Sequence, residues 1–174
     1  FDLLKERAET GRIYIMNMDH CNTHSSFKDK VSMSNLCQEI TLPTTPIQDI
    51  HDEQGEIALC ILSAVNVGGL NDLSELENIC DLSVRALEQI IDYQDYPVKA
   101  AEVSTKKRRS LGIGYIGLAH YLAKNNVKYS DPKAWELVDR LSEAFQYYLL
   151  RASCDIAIEK GKCEGFDRTK YADG

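Results

Sequence analysis

The chain has 174 residues, 44% of them apolar and 27% charged, and its 27 acidic against 20 basic side chains leave a net charge of −7. A domain takes about 100–200 residues, so there is material for one sizeable core, and the apolar fraction excludes a disordered chain. No apolar run approaches the ~18 residues of a membrane-spanning helix, and the acidic balance speaks against nucleic acid as the main partner, because phosphate neutralisation needs a clustered basic surface.

The chain begins at Phe1, without Met and without a signal-peptide pattern, which is the expectation for a piece of a longer protein. Phe1 to Ala8 reads as the tail of a helix that stops near Gly11. Arg12 to Met18, RIYIMNM, carries β-branched and aromatic residues and predicts a strand, followed by a polar loop over Asp19 to Lys30. Val31 to Leu42 predicts an extended stretch that Pro43 and Pro46 end. Ile57 to Val67 is a continuous apolar run, the expectation for a strand buried on both faces, and Gly68-Gly69 stops it. Beyond it, Leu73, Leu76, Ile79, Leu82, Leu87, Ile90 and Ile91 recur at helical steps after the capping candidates Asn71 and Asp72. A second helix is expected from about Gly112 to Lys124, and a third from Asp131-Pro132 to Lys160, stopped by Gly161. Early strands followed by helices define an α/β or α+β piece.

Six cysteines stand at 21, 37, 60, 80, 154 and 163, with no CxxC pair. Disulfide scaffolds are short and loop-rich, so reduced thiols in a cytosolic protein are the better expectation. Gly112 to Gly117, GIGYIG, fits G-x-G-x-x-G, but a dinucleotide site needs a hydrophobic strand just before it. Ser104 to Ser110, with Lys106, Lys107, Arg108 and Arg109, is no such strand. The glycines then read as close helix packing and the basic run as a solvated loop. His20, Cys21 and His24 invite a metal, yet the segment reads as strand-to-loop and Cys21 cannot easily join the same tetrahedral site as its neighbour His20. No metal site is assigned. Tyr147-Tyr148 reads as helix core.

Ser34 to Ile40, SNLCQEI, is the most informative segment. In an extended backbone side chains alternate faces, so Asn35, Cys37 and Glu39 would project together, about 6–7 Å from one to the next. An amide, a thiol and a carboxylate would then share a face. A cysteine nucleophile of acyl transfer needs a base such as His, and none is here. Glu39 could instead act as base toward a substrate hydroxyl while Asn35 orients that substrate. The ordinary alternative is a strand with a buried thiol, and the pattern alone leaves both open. A second thiol in space, such as Cys60, would permit two-electron chemistry by thiol–disulfide exchange.

Several segments in order, RIYIMNMDHCNTHSSF, SNLCQEI, GEIALCILSAVNVGGL, ALEQIIDYQDYP, RRSLGIGYIGLAHYLA and FQYYLLRAS, carry a resemblance. The chain resembles the catalytic barrel of the large (alpha) subunit of class I, aerobic ribonucleotide reductase, in its bacterial and bacteriophage branch. The resemblance implies an α/β fold: part of a ten-stranded α/β barrel with a central finger loop, helix-rich in its C-terminal half. Residues 1–174 would then be a fragment of that barrel, with the finger loop at about 31–42, a redox strand at about 57–67 and helices after 72. It further implies that Cys37 carries a thiyl radical, that Glu39 takes the proton of the ribose 3′-hydroxyl, and that Asn35 hydrogen-bonds the ribose hydroxyls. Cys60 would be one of two cysteines that reduce the substrate and end as a disulfide, its partner outside this chain. GIGYIG would be a structural helix start.

The implied substrate is a ribonucleoside diphosphate. The implied partners are a radical-generating small subunit, a thioredoxin- or glutaredoxin-type reductant, the remaining segments of the large subunit and a second copy in a homodimer, with no nucleic acid and no membrane. No cofactor is expected on this chain. The metal and tyrosyl radical belong to the small subunit, and ATP and dNTP effectors bind elsewhere in the large one. The expected location is the cytoplasm. The chain by itself is expected to be inactive, the alternatives being a split-gene or structural piece that works only when assembled, or a different cysteine-radical enzyme on a similar barrel.

Overall fold

The computed structural model describes residues 1–174 throughout. Six α-helices and two strands follow in the order α1 Asp2–Thr10, α2 Met18–His24, β1 Ile61–Asn66, α3 Glu75–Tyr93, α4 Lys99–Arg108, β2 Leu111–Ile116, α5 Leu118–Lys124 and α6 Pro132–Lys160. The chain divides into two compact units, one of residues 1–59, 96–108 and 164–174, the other of residues 60–95 and 109–163.

The second unit is built on a parallel pair. β1 and β2 run side by side with Ile61 opposite Leu111 and Asn66 opposite Ile116. Alternation sends Val65, Ile113 and Tyr115 toward the helices. There they join Val67, Leu70, Leu76, Cys80, Leu141 and Phe145 in the main core. Helix α3 buries Leu76, Cys80, Val84, Leu87 and Ile91, a stripe at helical spacing, and α6 buries Leu141, Phe145, Ala152 and Ile156 against it. Tyr115 meets Phe145 edge-on, 5.5 Å between ring centroids. Arg85 of α3 clasps Glu159 of α6 through two hydrogen bonds of 2.7 Å. The opposite face of the pair is open, and Leu62 there is 60% exposed.

The first unit is held by polar side chains. Asn22 of α2 gives its amide to the Val31 carbonyl (2.9 Å) and receives the Val31 N–H (2.8 Å), so one side chain pairs both polar groups of a buried residue. Thr45 and Glu56 form an antiparallel bridge. Glu56, only 6% exposed, accepts 2.6 Å bonds from Lys107 and Arg108 of α4. Arg108 also reaches Asp29 at 3.1 Å, and Asp29 is clamped by Arg168.

Several expectations hold. Gly11 ends α1 in the left-handed region at φ 66°, and α6 runs from the Asp131 cap, which accepts from the Lys133 N–H, to Gly161. Others are corrected. Arg12 to Met18 is not a strand: residues 12–17 are irregular and α2 begins at Met18. A strand needs a ladder partner, and with none the apolar Tyr14 and Ile15 remain exposed. The loop expected over Asp19 to Lys30 therefore contains most of a helix. The apolar run 57–67 pairs only over Ile61–Asn66, Ile57 instead donating its N–H to the Ala100 carbonyl, and it buries one face, not two, because helices pack on one side of the pair alone.

GIGYIG is not a helix start but strand β2, and α5 begins only after Gly117, left-handed at φ 81°. The decisive signal is the period-two alternation of Leu111, Ile113 and Tyr115 with glycines. The dinucleotide reading stays rejected, since these glycines lie within the strand and not in a turn after it. The basic run is not a solvated loop either. Lys106, Lys107 and Arg108 close α4, and Arg109, left-handed at φ 48°, turns the chain into β2 while pairing with Glu88 and Asp92 at 2.7 Å each. Each of the four bases has an acidic partner, which is what keeps the run folded.

Removing Glu56 takes one of two counter-charges from the Arg108 guanidinium, its side chain 5% exposed, and leaves it Asp29 alone. Glu56→Ala is expected to cost about 3–5 kcal/mol at neutral pH, read by denaturant unfolding. Burial raises the Glu56 pKa, but the hydrogen bonds and charges of Arg108 and Lys107 outweigh it and hold the carboxyl below its ordinary value. Its contribution is therefore complete above the usual glutamate pKa and lost as pH falls through the lower folded value. The gap between wild type and Glu56→Ala should narrow in acid, and a gap independent of pH would count against the network.

Candidate active site

Ser34 to Ile40 is a loop that closes on itself. The Gln38 N–H donates to the Asn35 carbonyl at 3.1 Å, which makes Asn35-Leu36-Cys37-Gln38 a four-residue turn. Gln38 takes a left-handed φ of 63°, an unusual conformation for a residue with a side chain. Two side chains hold the turn. The Asn35 Oδ1 accepts the Ile40 N–H at 3.0 Å, and the Ser34 hydroxyl donates to the Ile40 carbonyl at 2.7 Å. Both polar groups of the Ile40 backbone are thus met from the other arm of the loop.

Cys37 sits at the tip and is exposed, beside Leu36 at 80% exposure. This corrects the extended reading of the segment. The chain reverses at Leu36 and Cys37, so strict alternation does not carry Asn35, Cys37 and Glu39 onto one face. Asn favours such turns because its short carbonyl reaches nearby backbone N–H groups. The ordinary alternative of a buried thiol is not what the structure has either. What the turn presents is a thiol at its apex, the Asn35 amide beneath, with its oxygen committed and its Nδ2 outside these bonds, and an exposed Glu39 on the departing arm.

Cys60 lies in the other unit, at the entry to β1 and half-buried. It alternates with Leu62, Ala64 and Asn66, on the face away from the helices. Its neighbour on β2 is Gly112. A side-chain carbon at Gly112 would stand 3.6 Å from the Cys60 Sγ and 2.5 Å from the Leu62 Cδ2. Cys80 contrasts with it: burial in the core pushes its thiol up to about 11.

The remaining candidates are bland. His20 and His24 do share a face of α2, with ring centroids 6.5 Å apart, but no group of three or more His, Cys, Asp or Glu is arranged to hold a metal ion. Tyr148 packs on the core as expected, whereas Tyr147 is exposed. Sequence reasoning missed Ser34 and Gln38 as the frame of the loop, and Gly112 as the neighbour of Cys60. For the first, the Ser-Asn pair ahead of the thiol is a turn signal. For the second, the alternating glycines of LGIGYI were available but were read in helical period.

A model of the ribonucleotide reductase barrel domain matches residues 1–174, and the chain belongs to that family. Curated relatives agree with it. The chain is 59% identical over 175 residues to the ribonucleoside-diphosphate reductase subunit alpha of Haemophilus influenzae, covering 99% of this chain and 23% of that protein. It is 56% identical over 172 residues to the subunit alpha of Buchnera aphidicola subsp. Schizaphis graminum (97% and 22%) and 39% identical over 177 residues to that of Enterobacteria phage T4 (99% and 23%). The chain thus spans less than a quarter of the length of these relatives.

The Asn35 oxygen accepts the Ile40 N–H, so its removal should loosen the loop. In Asn35→Ala the Ile40 amide should exchange with solvent about tenfold faster, the equivalent of one lost hydrogen bond. Asn35→Asp, which keeps an acceptor there, should hold the exchange near the wild-type rate. Equal rates in all three proteins would show that the side chain does not pin the turn.

Proposed function

We propose that residues 1–174 form the finger-loop and redox-strand part of the catalytic barrel of a ribonucleoside-diphosphate reductase alpha subunit, working in the reduction of ribonucleoside diphosphates to 2′-deoxyribonucleoside diphosphates. The observation that carries this is the exposed Cys37 at the apex of a turn pinned by its own neighbours, in a chain matched along its whole length by the barrel-domain family. Parallel sheets are nearly always covered on both faces. The open face of the β1–β2 pair is in keeping with two strands of a larger, ten-stranded barrel around a finger loop.

The chemistry follows from the residue types. A cysteine thiyl radical at Cys37 abstracts the ribose C3′ hydrogen, and because the S–H and C3′–H bonds are close in strength the step is near thermoneutral and reversible. Glu39 takes the 3′-hydroxyl proton. Asn35, through its Nδ2, holds the ribose hydroxyls. The substrate radical then loses its 2′-hydroxyl as water, and Cys60 with a second thiol from outside this chain supplies two electrons and ends as a disulfide. The oxidising equivalent comes from a radical-generating metal subunit, and a thioredoxin- or glutaredoxin-type protein restores the thiols. Nucleotide effectors act on parts of the subunit beyond this segment, in a homodimer. The setting is cytoplasmic, in keeping with reduced thiols; no helix here is long and apolar enough to cross a membrane.

The test uses a full-length alpha subunit carrying this segment, with its radical subunit and dithiothreitol. Cys37→Ser should lower turnover by about a thousandfold or more, because an alkoxyl site cannot replace the thiyl radical in a reversible abstraction. Glu39→Gln should lower kcat about a hundredfold with little change in KM, the mark of a proton transfer made only in the transition state. Turnover retained in Cys37→Ser would overturn the reading.

A further inference from the structure

We propose that Gly112 is a positioning residue for Cys60: its missing side chain leaves the thiol room to move between its reduced and its disulfide positions. The proposal rests on the redox role given to Cys60 above. In each turnover Cys60 and the second thiol give two electrons and two hydrogens to the substrate. One hydrogen ends on the 2′ carbon, the other leaves in the water formed from the 2′-hydroxyl, and a sulfur–sulfur bond closes. Two sulfurs in van der Waals contact must come to about 2.05 Å for that bond. A shift on the order of an ångström is therefore required of them, once in each direction per cycle.

The geometry shows what borders that motion. β1 and β2 pair in parallel with Leu62 directly opposite Gly112, and Cys60 lies two residues before Leu62 on the same face. A methyl group at 112 would meet the Leu62 Cδ2 at 2.5 Å, closer than real side chains approach, and the Cys60 Sγ at 3.6 Å, an ordinary contact. The two consequences differ. The Leu62 tip is the free end of a flexible side chain and can rotate away at little cost to the fold. Cys60 is half-buried, and a methyl in contact with its sulfur closes one side of the space in which it turns. Gly114, two residues on along β2, differs in this respect: a methyl there would meet nothing within 4 Å. Gly112 thus acts through Cys60, without touching substrate.

The experiment compares Gly112→Ala, Gly114→Ala and Cys60→Ser in a full-length alpha subunit carrying this segment. The readouts are deoxynucleotide formed in a single turnover without reductant, the rate at which dithiothreitol re-reduces the resulting disulfide, kcat, KM and the melting temperature. In Gly112→Ala re-reduction and kcat should both fall about tenfold as the methyl takes up the space beside the sulfur, with KM and melting temperature little changed. Gly114→Ala should behave as wild type. Should Gly112→Ala lower the melting temperature, the double variant Leu62→Ala/Gly112→Ala removes the clash with Leu62, and re-reduction should stay slow. Wild-type re-reduction in Gly112→Ala, equal slowing in Gly114→Ala, or recovery of the rate in the double variant would each overturn the proposal. Multiple turnovers at the wild-type rate in Cys60→Ser would instead overturn the redox role of Cys60. Blocked turnover there with an unaffected Gly112→Ala would sink the Gly112 inference alone.

Discussion

The six-residue parallel pairing of β1 with β2 is the constraint on which the second unit depends. Once Ile61 stands opposite Leu111, alternation decides every other side chain in both strands. Val65, Ile113 and Tyr115 must face α3 and α6, and Cys60, Leu62 and Gly112 must share the far face. A slip of β2 by one residue would turn its glycines toward the helices, where they would fill nothing, and would send Ile113 and Tyr115 outward. The core and the surroundings of Cys60 are two results of one register.

The first unit depends on paired polar groups where the second depends on apolar packing. It has no ladder longer than an isolated bridge, so its irregular segments need other partners for their backbone groups. Asn22 supplies them at Val31, and Ser34 and Asn35 supply them at Ile40. The buried acid Glu56 ties α4 to the Thr45–Glu56 bridge through Arg108 and Lys107. Such pairs add little net stability over apolar packing, but they are intolerant of losing one member, and so they specify one arrangement. A loop that carries a thiol at its tip gains from this: directional bonds fix where the tip points.

The long helices were legible because their signals are redundant. Helix α6 has a cap at Asp131, Pro132 at its first position and Gly161 at its end, and α3 repeats its apolar stripe over five turns. The misreadings came where short segments obey long-range partners. RIYIMNM has strand composition but no ladder to join, and MDHCNTH has no apolar period, yet forms a helix whose Asn22 is anchored at Val31. The glycines of GIGYIG read as close helix packing, and the four bases ahead of them as a solvated loop. Those bases are instead neutralised by Glu102, Glu56, Glu88 and Asp92, residues up to 52 positions away in the chain. In SNLCQEI the residue types point to chemistry, but the turn at Leu36 and Cys37, closed by the left-handed Gln38, cannot be read from alternation.

Three thiols show how one residue type is given different chemistry by its surroundings. Cys80 sits in the core with its thiol pushed up to about 11, where ionisation is suppressed and its use is to fill space. Cys37 stands exposed at the apex of a turn with no acidic or basic side chain bonded to it, which suits homolytic chemistry: hydrogen-atom transfer needs access and a fixed direction, and it needs no thiolate. Cys60 lies between these, half-buried, its sulfur beside Gly112, which has no side chain. Disulfide exchange needs a sulfur that is sheltered from adventitious thiols and yet able to move, and a glycine beside a half-buried cysteine meets both needs without opening the sheet. The division of labour proposed for Cys37 and Cys60 is therefore one that their two settings, a pinned turn and a rigid strand edge, are physically suited to support.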